Sequence, residues 1–267
     1  MNQGLGRKRI AGTDIEVSPL GFGTVKFGRN QGVKYPEHFT MPDDREMFEL
    51  LNLARELGMN LLDTAPAYGT SEERLGELFV RHKGFREQWV ICSKVGEEFI
   101  NGESCFDFSG QHIRFSVERS LKRLNTDVIE LMLVHSSGDD VNIIEQSGCL
   151  EVLADLKKEG KILASGMSTK TVEGGILALK HSDVAMVTYN LNEQAEKQVL
   201  DYALEQGKGI LIKKALASGH ACLSGQDPVL ESMKLVFSHP GVSAAIVGTI
   251  NPAHMQQNAE ACIAASA

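Results

Sequence analysis

Residues 60–81 read NLLDTAPAYGTSEERLGELFVR. The first four form an apolar run that closes on Asp63. Pro66 and Gly69 punctuate a turn, and residues 71–81 carry a helical pattern with Thr70 or Ser71 as its N-cap. Strand, turn and helix in this order make one β/α unit.

The same order recurs from end to end. Apolar runs predict strands at 17–24, 60–63, 89–94, 128–135, 162–168, 184–189, 209–213 and 242–248. Most show little alternation, as parallel strands buried on both faces do. Helical patterns lie between them at 45–57, 71–81, 111–124, 143–158, 171–180, 193–205, 229–237 and 252–264. Gly174 and Gly175 are expected to weaken the fifth of these helices. Eight units in 267 residues, about 33 residues each, predict an α/β fold of parallel strands, a (β/α)₈ TIM barrel, over 1–267 as a single domain. An open doubly wound sheet is the alternative. It would bind a dinucleotide through a Gly-rich turn, but Gly21-Phe22-Gly23 is followed by Lys26 and Phe27 with no third glycine.

Composition bounds the function. The formal net charge is -8, with 35 Asp+Glu against 27 Lys+Arg and no block of like charges, which argues against a nucleic-acid binder. No apolar run approaches the roughly 20 residues of a membrane span, and the first residues lack a leader's apolar core. Cys92, Cys105, Cys149, Cys222 and Cys262 form no Cys-x-x-Cys pair, so reduced thiols and a cytoplasmic protein are expected. The histidines show no metal-ligand spacing, and no metal site is expected.

A barrel builds its site at the C-terminal ends of its strands. Four ionisable residues stand there on consecutive units: Asp63, Tyr68 five residues on, Lys94 and His135. Asp139-Asp140 also follows strand four and reads as a solvated loop. The long connection 25–44, with Phe27, Tyr35 and Phe39, and the segment 96–110, with Phe99, Phe106 and Phe108, are expected to wall the pocket or to pin those loops. Trp89 opens strand three at the opposite end and is expected to pack.

The stretch 58–76 (GMNLLDTAPAYGTSEERLG), with Ser93-Lys94-Val95-Gly96 and residues 118–127 (ERSLKRLNTD), resembles the aldo-keto reductase superfamily over nearly the whole chain. The resemblance implies a TIM barrel capped by a short N-terminal hairpin, here at 7–15 with its turn at 12–14. It also implies a monomer that reduces small aldehydes or ketones with NADP(H), NAD(H) being the alternative cofactor. The four residues above match the family's tetrad. The chemistry fits the residue types independently. A phenol has an ordinary pKa near 10, and a neighbouring cation favours its ionised form. Lys94 is that cation, Asp63 its partner, Tyr68 the general acid, and His135 the donor to the carbonyl oxygen. An intact His135 favours carbonyl reduction over the family's double-bond reductases and its channel-associated binding modules.

The resemblance assigns cofactor contacts to Gly23, Thr24, Val25 and Asp63 at strands one and two. It adds Ser168 and Thr169 after strand five, Met186 on strand six, and Lys213, Lys214, Leu216, Ser218 and Gly219 after strand seven. Gly248, Thr249, His254, Gln257 and Asn258 follow strand eight. Three positions depart from the family pattern. Thr169 stands for an Asn, Met186 for a Gln, and Lys213 for the Tyr that stacks on nicotinamide. The cations that usually grip the 2′-phosphate are replaced by His254. These departures support a second reading, a nucleotide-binding regulatory module with little turnover. A third reading is a barrel lyase or aldolase with Lys94 as a Schiff-base nucleophile.

Overall fold

The computed structural model describes residues 4–33, 35, 38–219 and 227–266, so His220 and Cys222 lie outside the described residues. Eight strands close into an all-parallel barrel: β3 (Leu20–Gly23), β4 (Leu61–Asp63), β5 (Val90–Val95), β8 (Ile129–His135), β9 (Ile162–Ser168), β10 (Val184–Thr188), β11 (Gly209–Lys213) and β12 (Val242–Val247). Helices α2 (Asp44–Glu56), α3 (Ser71–Arg81), α4 (Gly110–Arg123), α6 (Cys149–Lys158), α7 (Val172–His181), α8 (Lys197–Gln206), α9 (Pro228–Phe237) and α10 (Pro252–Ser266) follow the strands in turn.

The strand period decides what reaches the barrel mouth. Leu61, Cys92, Leu131, Leu133, Ala164, Val184, Met186, Leu211 and Ala244 pack together inside the barrel, while Leu62, Ile91, Met132 and Val134 pack in the outer core. Side chains alternate along a strand. Asp63, Lys94, His135 and Lys213 therefore continue the inward rows begun by Leu61, Cys92, Leu133 and Leu211. Apolar residues fill the barrel, and these polar ones form its last layer.

The floor is a two-stranded antiparallel hairpin, β1 (Lys8–Arg9) with β2 (Glu16–Val17), placing Ile10, Ile15 and Val17 against the barrel interior. Its turn passes through Gly12 at φ 76°. The predicted strand at 17–24 is thus divided. Val17 belongs to the hairpin, and Ser18-Pro19 breaks the run before β3. Pro19 has no N–H to give a ladder, and Ser18 N donates instead to Asn60 Oδ1 at 2.6 Å. Trp89 packs on Phe85 in the outer core, with ring centroids 5.9 Å apart.

Four local expectations are corrected. The helix predicted at 143–158 is two, α5 (Asp140–Ser147) and α6, because Gly148 takes φ 66° between them. Helix α8 starts at Lys197, later than predicted, since Asn190 Oδ1 accepts from the amides of Asn192 and Glu193, both at 2.9 Å, and makes a turn first. Gly174 and Gly175 do not merely weaken α7. A Cβ at Gly174 would lie 2.1 Å from that of Asp140, and one at Gly175 2.7 Å from a Val199 methyl. The two glycines let α7 seat closely on α5 and α8. Asp140 is not a solvated loop residue: it is buried, and its Oδ2 accepts from Lys170 N and Thr171 N at 2.8 Å each and from Thr171 Oγ1 at 2.7 Å.

The sequence reading missed a second hairpin, β6 (Glu97–Ile100) with β7 (Glu103–Phe106), inside the segment 96–110. Its turn is Asn101-Gly102, at φ 53° and 86°. An Asn-Gly pair between short runs is a strong hairpin signal, because both residues accept positive φ.

Helix α1 (Val25–Gly28) meets the turn that carries Tyr68: a Cβ on Gly28 would fall 2.2 Å from Ser71 N and 2.3 Å from Tyr68 O. Gly28→Ala is expected to cost about 1–3 kcal/mol in urea unfolding and to shift the Tyr68 ring signals by NMR; unchanged stability and spectra would show the two segments to be free of each other. Glu72 is buried at the start of α3, with Oε1 accepting from Ser93 Oγ at 2.6 Å. Burial raises its pKa, against the opposing pull of Ser93, Ser120 and Arg123. The folded state therefore favours the protonated acid. Its stabilising contribution is complete below the ordinary glutamate value of about 4.3 and is lost as pH rises through the raised folded value. Glu72→Gln should raise the urea midpoint at neutral pH and leave it unchanged below that ordinary value. A lowered midpoint at neutral pH would contradict this.

Candidate active site

The tetrad assembles on the mouth of the barrel. Thr24 holds the end of β4, donating from its N and Oγ1 to Asp63 O, both at 2.9 Å. After β4 a short 3₁₀ turn (Pro66–Tyr68) lifts Tyr68 over the mouth, and Gly69 follows at φ 63°. Lys94 Nζ donates to Asp63 Oδ1 at 2.6 Å, Thr64 O at 2.9 Å and Tyr68 Oη at 3.0 Å. All three ammonium hydrogens are thereby used. Tyr68 Oη in turn donates to Asp63 Oδ2 at 3.2 Å.

The electrostatics follow from this closure. Burial opposes the Lys94 ammonium, but Asp63, Tyr68 and Cys92 outweigh it and hold the pKa above the ordinary lysine value. Lys94 stays charged, which removes the free amine that a Schiff-base mechanism needs. Burial and the Asp63 carboxylate push the Tyr68 phenol above its ordinary range, while Lys94 pulls the other way. The cation thus acts as expected but does not outweigh burial and Asp63, and Tyr68 keeps its proton at neutral pH.

His135 faces Tyr68 edge to face, with ring centroids 6.3 Å apart. Its Nδ1 lies 2.7 Å from Oε2 of Glu97, a short contact not aligned as a full hydrogen bond. Burial lowers the imidazole pKa, and Glu97 opposes that shift. The Glu97 carboxyl is held at about 2: burial works against the charge, and His135, Ser104 and Arg29 overcome it. Glu97 was missed from sequence because its hairpin was missed.

One cavity of about 680 Å³ contains the four residues and runs along the mouth, a size suited to a cofactor-sized ligand. Gly23, Val25, Ser168, Met186, Lys213, Lys214, Leu216, Ser218 and Gly219 line it, as do Gly248, Thr249, His254, Gln257 and Asn258. Two expected contacts do not line it. Thr24 is buried beneath Asp63, and Thr169 is buried with its amide donating to Met186 O at 3.1 Å. Lys26 and Tyr35 bring the connection 25–44 to it, as expected, and Ala215, Pro228, Val229, Ile246 and Val247 line it unexpectedly. Of the aromatics expected to wall the pocket, Tyr35 does so. Phe27 is in the core, Phe39 packs edge-on to Tyr35, Phe99 lies under Arg29, and Phe106 stacks on Phe108.

Lys213 is neither solvated nor free. Its Nζ donates to Ser168 Oγ at 3.0 Å and to Thr169 O. Burial pushes its pKa down to about 8; Glu196 and Asp140 resist, and Lys214 and Lys170 assist. The loop beyond it is strained: Lys214, Ala217 and Ser218 take φ of 56°, 47° and 58°, at about 1–3 kcal/mol each. Ala217 N donates to Lys214 O and Gly219 N to Leu216 O, both at 2.8 Å, which holds this curl against the cavity.

Comparison with known proteins shows the family. A sequence model of the Aldo/keto reductase family matches residues 19–228. Aldo-keto reductase YhdN of Bacillus subtilis is 33% identical over 215 residues, which make up 79% of this chain and 62% of that protein. A solved structure of a proposed aldo-keto reductase from Pseudomonas aeruginosa superposes with TM-score 0.90 at 57% identity, over 99% of this chain and 97% of that one. A second such structure from the same organism gives TM-score 0.88 at 58% identity, over 97% and 94%. With the family pattern spanning most of its length, the chain belongs to the aldo/keto reductase family.

Proposed function

We propose that this chain reduces an aldehyde or ketone to the alcohol with a hydride from NADPH, and that Tyr68 is its general acid. The observation that carries the reading is the Lys94 ammonium, held between Asp63 Oδ1 at 2.6 Å and Tyr68 Oη at 3.0 Å. Carbonyl reduction needs a hydride on carbon and a proton on oxygen. A bound nicotinamide supplies the hydride, which no side chain can. Tyr68 gives its proton to the developing alkoxide, and Lys94 stabilises the phenolate left behind. Asp63 fixes Lys94. His135 donates to the carbonyl oxygen and aligns it. In the reverse direction Tyr68 is the base.

The volume and lining of the cavity support an extended dinucleotide as its ligand. Ser168, Met186 and Lys213 stand beside the tetrad, where the nicotinamide would be held. Lys214, Leu216, Ser218 and Gly219 would follow the pyrophosphate, with Gly23 and Val25, two strands on in the barrel order, lining the same cavity. Thr249, His254, Gln257 and Asn258 would take the adenosine end, beside the first turn of α10, where free N–H groups favour phosphate. The same reading makes the chain a single-domain monomer acting on small soluble carbonyls in the cytoplasm. A regulatory nucleotide-binding module is the second reading. It is favoured by Lys213, which already engages Ser168 and Thr169.

Fluorescence titration with NADPH and NADH in parallel, followed by turnover of an activated aldehyde, separates the two. Tyr68→Phe is expected to bind NADPH as the wild type does and to lose about 10²–10⁴-fold in turnover. Binding without turnover in either protein would favour the module. Equal turnover in both would overturn the role of Tyr68.

A further inference from the structure

We propose that Glu97 is a positioning residue for His135: its carboxylate fixes a proton on Nδ1, so that His135 presents a donor to substrate only as the imidazolium. The inference rests on the reading of His135 as the carbonyl-oxygen donor.

The geometry leaves little choice of tautomer. Two lone-pair-bearing atoms do not share a 2.7 Å contact, and a Glu97 carboxyl held at about 2 has no proton to give near neutral pH, so the Nδ1 that lies 2.7 Å from Glu97 Oε2 carries hydrogen. In the neutral ring Nε2 is then an acceptor and cannot donate to a carbonyl. Only the cation offers an N–H at Nε2, and its hydrogen bond is charge-assisted, roughly twice as strong as a neutral one.

Glu97 is held for this task. Its Oε1 accepts from Ser104 Oγ across the hairpin at 2.6 Å. The Arg29 guanidinium lies 3.5 Å from the Phe99 ring centroid, and its Nη1 donates to Ala67 O at 3.0 Å. That one side chain ties hairpin β6–β7 to the turn carrying Tyr68. The groups acting on His135 are Glu97 from the hairpin, Lys94 from β5, Lys213 from β11 and the Tyr68 ring from the turn after β4. Burial and the two lysines disfavour the cation, and Glu97 favours it. During reduction His135 keeps its proton. The hydride goes to carbon, and the proton that ends on oxygen comes from Tyr68.

The test reads His135 directly. In the ligand-free wild type, ¹⁵N NMR of the histidines, assigned with His135→Gln, should show neutral His135 protonated at Nδ1. In Glu97→Gln the imidazole midpoint should fall by about one pH unit or more, and Glu97→Asp should recover part of that fall. Turnover adds a second readout. Wild-type kcat/KM should decline as pH rises through the midpoint seen by NMR, and in Glu97→Gln the decline should move to lower pH with it. A neutral Nε2–H tautomer in the wild type, or the same midpoint in wild type and Glu97→Gln, would overturn the proposal. If no carbonyl is turned over at all, the functional reading fails, while the spectra still decide the pair.

Discussion

The site depends on one buried ion pair. Lys94 and Asp63 are 1% and 3% exposed. Withdrawing two charges from water costs several kcal/mol per ion, and close geometry with further hydrogen bonds is needed to offset it. Both conditions are met here. Asp63 O accepts from Thr24, Asp63 Oδ2 accepts from Tyr68, and Lys94 spends its remaining hydrogens on Thr64 O and Tyr68 Oη. Tyr68 cannot leave its place without stranding part of a buried charge. The same closure that makes the pair tolerable also aims the phenol over the mouth.

The rest of the molecule serves that layer. The apolar residues inside the barrel exclude water below it, and the hairpin floor seals the far end. Gly28 and Gly69 let two backbones approach closely enough to fix the turn under Tyr68. On the opposite side the chain is less settled. Burial pulls the Lys213 pKa down to about 8, and the backbone beyond it stores strain at Ala217 and Ser218. Strain held beside a cavity is a common mark of a ligand clamp. The molecule thus pairs a closely hydrogen-bonded edge around Lys94 with an edge of strained backbone on the same cavity.

The barrel was legible because eight apolar runs and their intervening helices follow simple periodicity. The tetrad was legible for the same reason: Asp63, Lys94 and His135 close predicted strands, and Tyr68 sits in a turn marked by Pro66 and Gly69. What escaped notice depended on long-range contact. Gly174 and Gly175 read as helix weakeners until Asp140 and Val199 are seen against them. Asp140 read as solvated because nothing local reveals that Lys170 and Thr171 close over it. Glu97 was different. Asn101-Gly102 announced its hairpin, and the signal was passed over. Lys213 was noticed as a departure, but its grip on Ser168 and Thr169 is set by where β9 and β11 end in the closed barrel.

The claim at the centre of this account is that a hydride crosses this cavity to a carbonyl carbon. The most direct measurement follows deuterium from NADPH labelled at C4 of its nicotinamide into an aldehyde, with mass spectrometry of the alcohol formed by the wild-type protein. One deuterium is expected on the former carbonyl carbon, and none when solvent alone is labelled. Alcohol labelled from solvent at that carbon, or no labelled product from a folded protein that binds the cofactor, would contradict it.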